Sequence, residues 1–272
     1  MRVTSLARSV VPWHPATAWA LLASAIVFVS AGTSHGFHSG VRGGIATFLA
    51  WAIVREIAPR RAIASALAPF AAVPFAIPAQ TDLLSCVGAL LAARIAVRSV
   101  GDPPTAFDCI ALVGLAGWLA TRLPGLPVAI VLAAVTFADS RDARRSRLAG
   151  AAMLAAAIVV GSTEGTLTFR PGWDDHAMGA QVLLGLLLVT APVLLAWPLP
   201  SRLRARDDRG HGPLRGDRVR SGRIAVVAAV AAAVAWTGTD GAFELSSASA
   251  AIVAATIAWP GVRRADSSRA RY

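Results

Sequence analysis

Between its apolar stretches this chain of 272 residues places arginine on a regular alternation. Every second gap is basic: Arg2 and Arg8; Arg55, Arg60 and Arg61; Arg94 and Arg98; Arg141, Arg144, Arg145 and Arg147; eight arginines from Arg202 to Arg223; and Arg263, Arg264, Arg269 and Arg271. The other gaps hold only Arg42, Arg122 and Arg170, out of 26 basic residues, and there is no lysine. A soluble fold has no reason to sort arginine in this way. A helical chain threaded repeatedly through a membrane does, because basic residues are retained on the cytoplasmic side.

Composition agrees. The chain is 56% hydrophobic and only 15% charged, with a mean hydropathy of +0.60; a soluble domain carries about 25% charged residues. The net charge of +11 could suggest nucleic acid, but the arginines interrupt apolar runs and do not line one soluble face, which argues against that partner. The expected class is all-α: a polytopic integral membrane helix bundle in the cell's inner (plasma) membrane, N-terminus and C-terminus both inside.

Ten spans follow from the apolar runs: Ala16–Ala31, Phe37–Val54, Ala62–Ile77, Thr81–Val97, Phe107–Thr121, Leu126–Ala138, Leu148–Gly161, Ala177–Trp197, Ile224–Thr237 and Ser247–Pro260. Several fall short of the roughly 17–25 residues that a span needs. Those must borrow flanking residues, thin the bilayer or sit inside the bundle. The first span has an alternative reading: Arg2, Arg8, an apolar run and Val29-Ser30-Ala31 resemble a cleavable secretory signal. Pro12, Trp13 and Pro15 ahead of the run favour a retained helix. Residues 1–197 form the bundle of about eight spans. Residues 198–223, basic and polar, read as a disordered cytoplasmic linker that lies on anionic lipid headgroups. Residues 224–262 make a final hairpin and 263–272 a basic tail.

Most carboxylates fall at helix starts, where backbone N–H groups and the dipole favour them. Asp82, Asp108, Asp174, Asp175 and Glu244 all read as such caps, and Thr105 with Asp108 has the spacing of a capping box. Cys86 and Cys109 lie near opposite ends of adjacent helices, about 20 Å apart, too far for a disulfide.

Two features point further. Pro69, Pro74 and Pro78 interrupt the third span and free the carbonyls of Ser65 and Phe70. Freed carbonyls inside a membrane need partners or line a cavity, so Ser65, Pro69, Phe70 and Pro74 are the candidate solute pathway. The segment from Ser162 to His176 gathers Glu164, Arg170, Asp174, Asp175 and His176, a candidate outer-loop site. His35 and His38 stand in the first outer loop. No metal-ligand spacing, P-loop, nucleophile elbow or other catalytic set is complete, so no cofactor or metal is expected and enzyme activity is not indicated.

Two short stretches resemble a group of uncharacterised multi-spanning membrane proteins of high-GC prokaryotes. They are Arg55-Glu56-Ile57-Ala58-Pro59 and the run from Arg98 to Asp108, with Pro103-Pro104-Thr105 inside it. The resemblance implies a multi-spanning fold and importance for these inner turns; it carries no activity. The leading expectation is a transporter-like or channel-like protein for a small or lipophilic solute. A membrane-embedded enzyme acting on lipid at the outer face, and a non-catalytic accessory subunit, are the alternatives.

Overall fold

The computed structural model describes residues 14–59, 61–76, 81–99, 104–139, 143–167, 178–199, 202–206 and 213–258. Eleven helices and one two-stranded hairpin make up the described residues. In chain order they are α1 Pro15–His35, α2 Phe37–Ile57, α3 Ala62–Ala76, α4 Leu83–Val97, α5 Ala106–Ala120, α6 Gly125–Ala138, α7 Ala143–Thr163 and α8 Met178–Ala196. The strands β1 Arg202–Arg206 and β2 Pro213–Arg215 follow, then α9 Gly216–Thr237, α10 Thr239–Glu244 and α11 Ser246–Ile257. Three of them, α1, α7 and α9, are long and apolar enough to cross a membrane.

Each helix coincides with one of the ten apolar runs, and the last run gains the short α10 ahead of it. The local reasons are legible. Thr105 accepts from the Asp108 N–H while Asp108 accepts from the Thr105 N–H, so the capping box opens α5 as its spacing predicts. Asp82 caps α4 by accepting from the Leu84 N–H at 3.2 Å. Gly36, at φ +91°, makes the one-residue turn between α1 and α2, a conformation that side-chain-bearing residues avoid.

The core mixes small and large apolar side chains, Phe75, Ile53, Leu126 and Met153 among the large ones. The interior is rich in alanine, with Ala20, Ala50, Ala64, Ala89, Ala116, Ala129, Ala229 and Ala251 fully buried. Large apolar side chains such as Leu22, Ile110, Leu148, Val159 and Leu188 face outward. Small residues inside let backbones approach closely, as in bundles where lipid surrounds the outside. At the centre stands α11, buried from Ser246 to Ala255 and packed against α2, α3, α8 and α9. With twelve residues it is about 18 Å long, well short of the ~30 Å hydrocarbon layer. Its shortness fits a position enclosed by longer helices. Around it, α1 packs on α2, while α5, α6 and α7 form a group that meets the centre through α4 and α9.

The stretch expected to be a disordered linker is partly ordered among its described residues. β1 and β2 pair antiparallel, Arg202 opposite Arg215 and Arg206 opposite Pro213. Leu203 and Leu214 from the hairpin join Val97 of α4 and Val219 of α9 in a small second core. The helix also starts earlier than the apolar run, at Gly216, because Val219 and Gly222 supply a packing face toward α4 within the basic segment. Gly222 sits so close to Val97 that a Cβ there would collide with it.

Candidate functional site

The ends of the helices gather into two polar regions, one dominated by arginine and one by carboxylates and hydroxyls.

At the arginine end, Arg223 is 1% exposed. Its Nε donates to the Ile57 carbonyl at 3.0 Å and its Nη1 to the Leu194 carbonyl at 3.2 Å. Arg61 Nη1 donates to the Ala255 carbonyl at 3.3 Å. All three acceptors lie in the last turns of α2, α8 and α11, whose terminal carbonyls lack partners within the helix and carry the negative ends of the dipoles. Three convergent C-termini therefore supply carbonyl acceptors to two neighbouring guanidinium groups. Burial, with the nearby charge of Arg223, lowers the Arg61 pKa to about 10. Next to this clamp, Arg94 pairs with the buried Glu56 at 3.2 Å and Arg98 with Asp139 at 2.9 Å. Asp139 ends α6, where the dipole disfavours an anion, and Arg98 neutralises it. Arg98 itself turns the chain in the left-handed region, φ 59°. These pairs tie together α2, α4 and α6 and involve both stretches that carry the family resemblance.

At the opposite end the chain breaks between α9 and α11. Gly238, at φ +70°, ends α9, α10 makes little more than one turn, and Leu245 leaves helical geometry before α11 begins. The α4 start docks on this break. The Asp82 N–H donates to the Glu244 carbonyl at 3.0 Å, and Thr81 Oγ1 and Ser246 Oγ share a hydrogen bond at 3.0 Å. Ser85 Oγ donates to Asp82 Oδ2 at 2.7 Å, and Arg122 from the α5–α6 turn stands 3.6 Å from Asp82 Oδ1. Hydroxyls continue inward along α11: Ser247 donates to the Ala46 carbonyl and Ser249 to the Ala242 carbonyl, both at 2.8 Å.

Glu244 differs from its expected role. It is the last residue of α10 and caps nothing; α11 starts with no side-chain cap. Its Oε2 is buried and has no hydrogen-bond partner among the described residues. Burial, reinforced by the charges of Asp240 and Asp82, pushes its carboxyl up to about 7, with Arg122 pulling the other way. A carboxyl held near neutrality, at a helix break and beside a chain of hydroxyls, can gain or lose a proton under ordinary conditions.

The sequence-predicted positions divide. Ser65, Pro69, Phe70 and Pro74 all fall in α3, which stays helical through both prolines and packs along α11. Pro69 is buried, Ser65 half-buried, and Phe70 and Pro74 lie on the exposed face. Phe70 packs on Trp19 in a tilted arrangement with ring centroids 5.6 Å apart, and the Trp19 Nε1–H donates to the Ala66 carbonyl in the turn before Pro69. The interior side of the proline-interrupted helix is thus that of Pro69. Pro78 lies outside the described residues. In the other predicted cluster, Glu164 is an exposed turn residue just after α7, while Arg170, Asp174, Asp175 and His176 lie outside the described residues. The two clusters are not brought together among the described residues.

Sequence reasoning missed the burial of Arg223, because it counted this arginine with a surface linker. It also missed Glu244 as a buried acid. The available signal was Gly238-Thr239-Asp240-Gly241 followed by Ser246, Ser247 and Ser249, glycines and hydroxyls breaking into an apolar run. Comparison with models of protein families, with curated proteins and with solved structures gave no match.

Proposed function

We propose that the protein is a multi-pass inner-membrane transporter or channel of about ten spans, both termini cytoplasmic, moving a small or lipophilic solute. The observation that carries this reading is α11: a short helix enclosed by the bundle, preceded by a chain break that holds a protonatable carboxyl, and flanked by α3 with its two prolines. Discontinuous helices near the centre of a bundle are the usual way membrane carriers build a site. The arginine alternation favours an orientation with the clamp around Arg223 inside and Glu244 at the outer end. The outward-facing large apolar side chains suit lipid; exposed patches of that extent are rare on a soluble monomer.

Proton binding at Glu244 supplies a natural coupling step. The test is proton flux into vesicles that carry the protein and an entrapped pH dye, with and without a panel of small amphiphilic solutes. Flux should exceed that of protein-free vesicles, vanish in Glu244→Gln, fall several-fold in Pro69→Ala, and persist in Glu164→Gln. Flux at the protein-free level throughout, or Glu164→Gln as the only damaging change, would sink the transporter reading. The second of these results would move the chemistry to the outer loop and to a lipid-directed enzyme.

A further inference from the structure

Between α5 and α7 an open groove of about 640 Å³ runs from the arginine end along the outside of the bundle. That volume lies within the range of small-ligand sites. Its walls are Cys109, Ile110 and Val113 on α5 and Leu148 on α7, and Arg144 and Arg145 close one end. The two helices rise side by side from that end. Arg145 Nη1 donates to the Pro104 carbonyl just before α5 at 3.3 Å, and farther along Gly117 faces Ala156 and Val160. Ile110 is 73% exposed and Leu148 64%, so the groove opens sideways and not into the bundle.

Among the described residues the charges at its mouth are one-sided: Arg144 makes no hydrogen bond or ion pair there, and the described lining holds no acidic side chain. Asp108, the nearest acid in sequence on α5, is buried and engaged by Thr105. Arg144, Arg145 and Arg147 also occupy the first turns of α7, where the helix dipole works against a cation and rewards an anion. An elongated apolar slot with guanidinium groups at one end complements an amphiphile that has an anionic head and a hydrocarbon tail.

We propose that this groove binds an anionic glycerophospholipid from the surrounding leaflet. Its phosphate sits on Arg144 and Arg145, and one acyl chain lies between Ile110 and Leu148. The proposal rests on the membrane reading above but not on transport.

Cys109 provides a reporter, since it lines the groove, while Cys86 is wholly buried and serves as an internal reference. The experiment follows alkylation of both thiols by N-ethylmaleimide, resolved by peptide mass spectrometry, on the full-length protein in a neutral detergent. Phosphatidylglycerol or phosphatidylcholine is added at equal mole fraction. Phosphatidylglycerol should slow Cys109 alkylation with an apparent affinity about tenfold or more above that of phosphatidylcholine, since each arginine near a headgroup adds measurably to binding. Arg144→Gln combined with Arg145→Gln should abolish the preference while Cys86 stays unreactive, which reports an intact bundle. Should that variant misfold, native mass spectrometry of the unmutated protein decides: one retained phosphatidylglycerol, and no phosphatidylcholine under the same conditions, supports the site. Equal protection by both lipids would mean ordinary solvation of an apolar face and overturn the proposal, as would no protection by either. A chain that stays monodisperse without detergent would sink the membrane reading itself, and loss of flux activity with Cys109 protection intact would count against transport alone.

Discussion

Glu244 and Arg223 show at the residue scale how one buried charge is tolerated and another is held near neutrality. The Glu244 carboxyl is raised from its ordinary value of 4.5 to about 7, so the folded protein keeps a proton that the unfolded chain has already lost. Between those two values the native state binds more protons, and stability must fall as pH rises through the window, levelling off above it. After discounting for its solvent contact, the loss is on the order of 1–2 kcal/mol. Thermal unfolding in detergent at pH 5 and pH 8 should show this decline, and Glu244→Gln should flatten it. An unchanged slope in the variant would assign the pH dependence elsewhere.

Arg223 has the opposite arrangement, a permanent cation whose two backbone acceptors end α2 and α8. Arg223→Met keeps the apolar stem but strands both carbonyls, at roughly 1–3 kcal/mol for each buried group left unmade. Relief of the arginine's own desolvation offsets part of that, so a net loss of about 2 kcal/mol is expected. Arg223→Lys should recover little, because one ammonium cannot reproduce the fork that spans two helix ends. A lysine variant as stable as the parent would show that charge alone, without the fork, is sufficient.

At the scale of elements, close backbone approach at small residues adds to the contacts of buried Leu, Ile and Phe side chains. Gly150 of α7 lies against α6 so tightly that a Cβ would come within 2.7 Å of the Phe137 nitrogen and 2.8 Å of the Ala133 carbonyl oxygen. Both are backbone atoms and cannot swing aside. Gly150→Ala should therefore push α7 away from α6 and cost about 1–3 kcal/mol, whereas Gly114→Ala, which meets nothing within 4 Å, should be neutral or mildly stabilising in a helix. The ordering of the two melting temperatures is the readout. Elements were also where the sequence was most legible. Apolar run lengths and the Thr105–Asp108 spacing located the helices and the start of α5, because capping is decided within four residues. The apolar run begins at Ile224 but α9 begins at Gly216, because the contact of Gly222 and Val219 with α4 is not encoded in the local pattern.

For the whole molecule, orientation is the most accessible prediction. In a background with Cys86 and Cys109 replaced by serine, Thr163→Cys and Ser221→Cys introduce thiols at exposed positions toward opposite ends of the bundle. An impermeant maleimide applied to intact cells should modify the first and spare the second. The reversed pattern would invert the topology, and modification of both would remove a crossing between them.

What the sequence determined by itself is the helical class, with helices long and apolar enough to cross a membrane. Apolar run length, the scarcity of charge and the alternation of arginine are local or additive properties, and the membrane reading follows from them without any contact between helices. Helix positions followed for the same reason. The tertiary structure decided which short helix is central and which charges are buried. Nothing in the length or alanine content of Ser246–Ile257 marks it as the central helix until α2, α3, α8 and α9 enclose it. Nothing marks Arg223 off from seven other arginines in its segment until the ends of α2 and α8 meet it. Both outcomes depend on the convergence of helix ends far apart in the chain. The Glu244 carboxyl is raised toward neutrality only because folding buries it and brings the charges of Asp240 and Asp82 near it. Its pKa is set by desolvation and by neighbouring charge, and these exist only once the chain has folded.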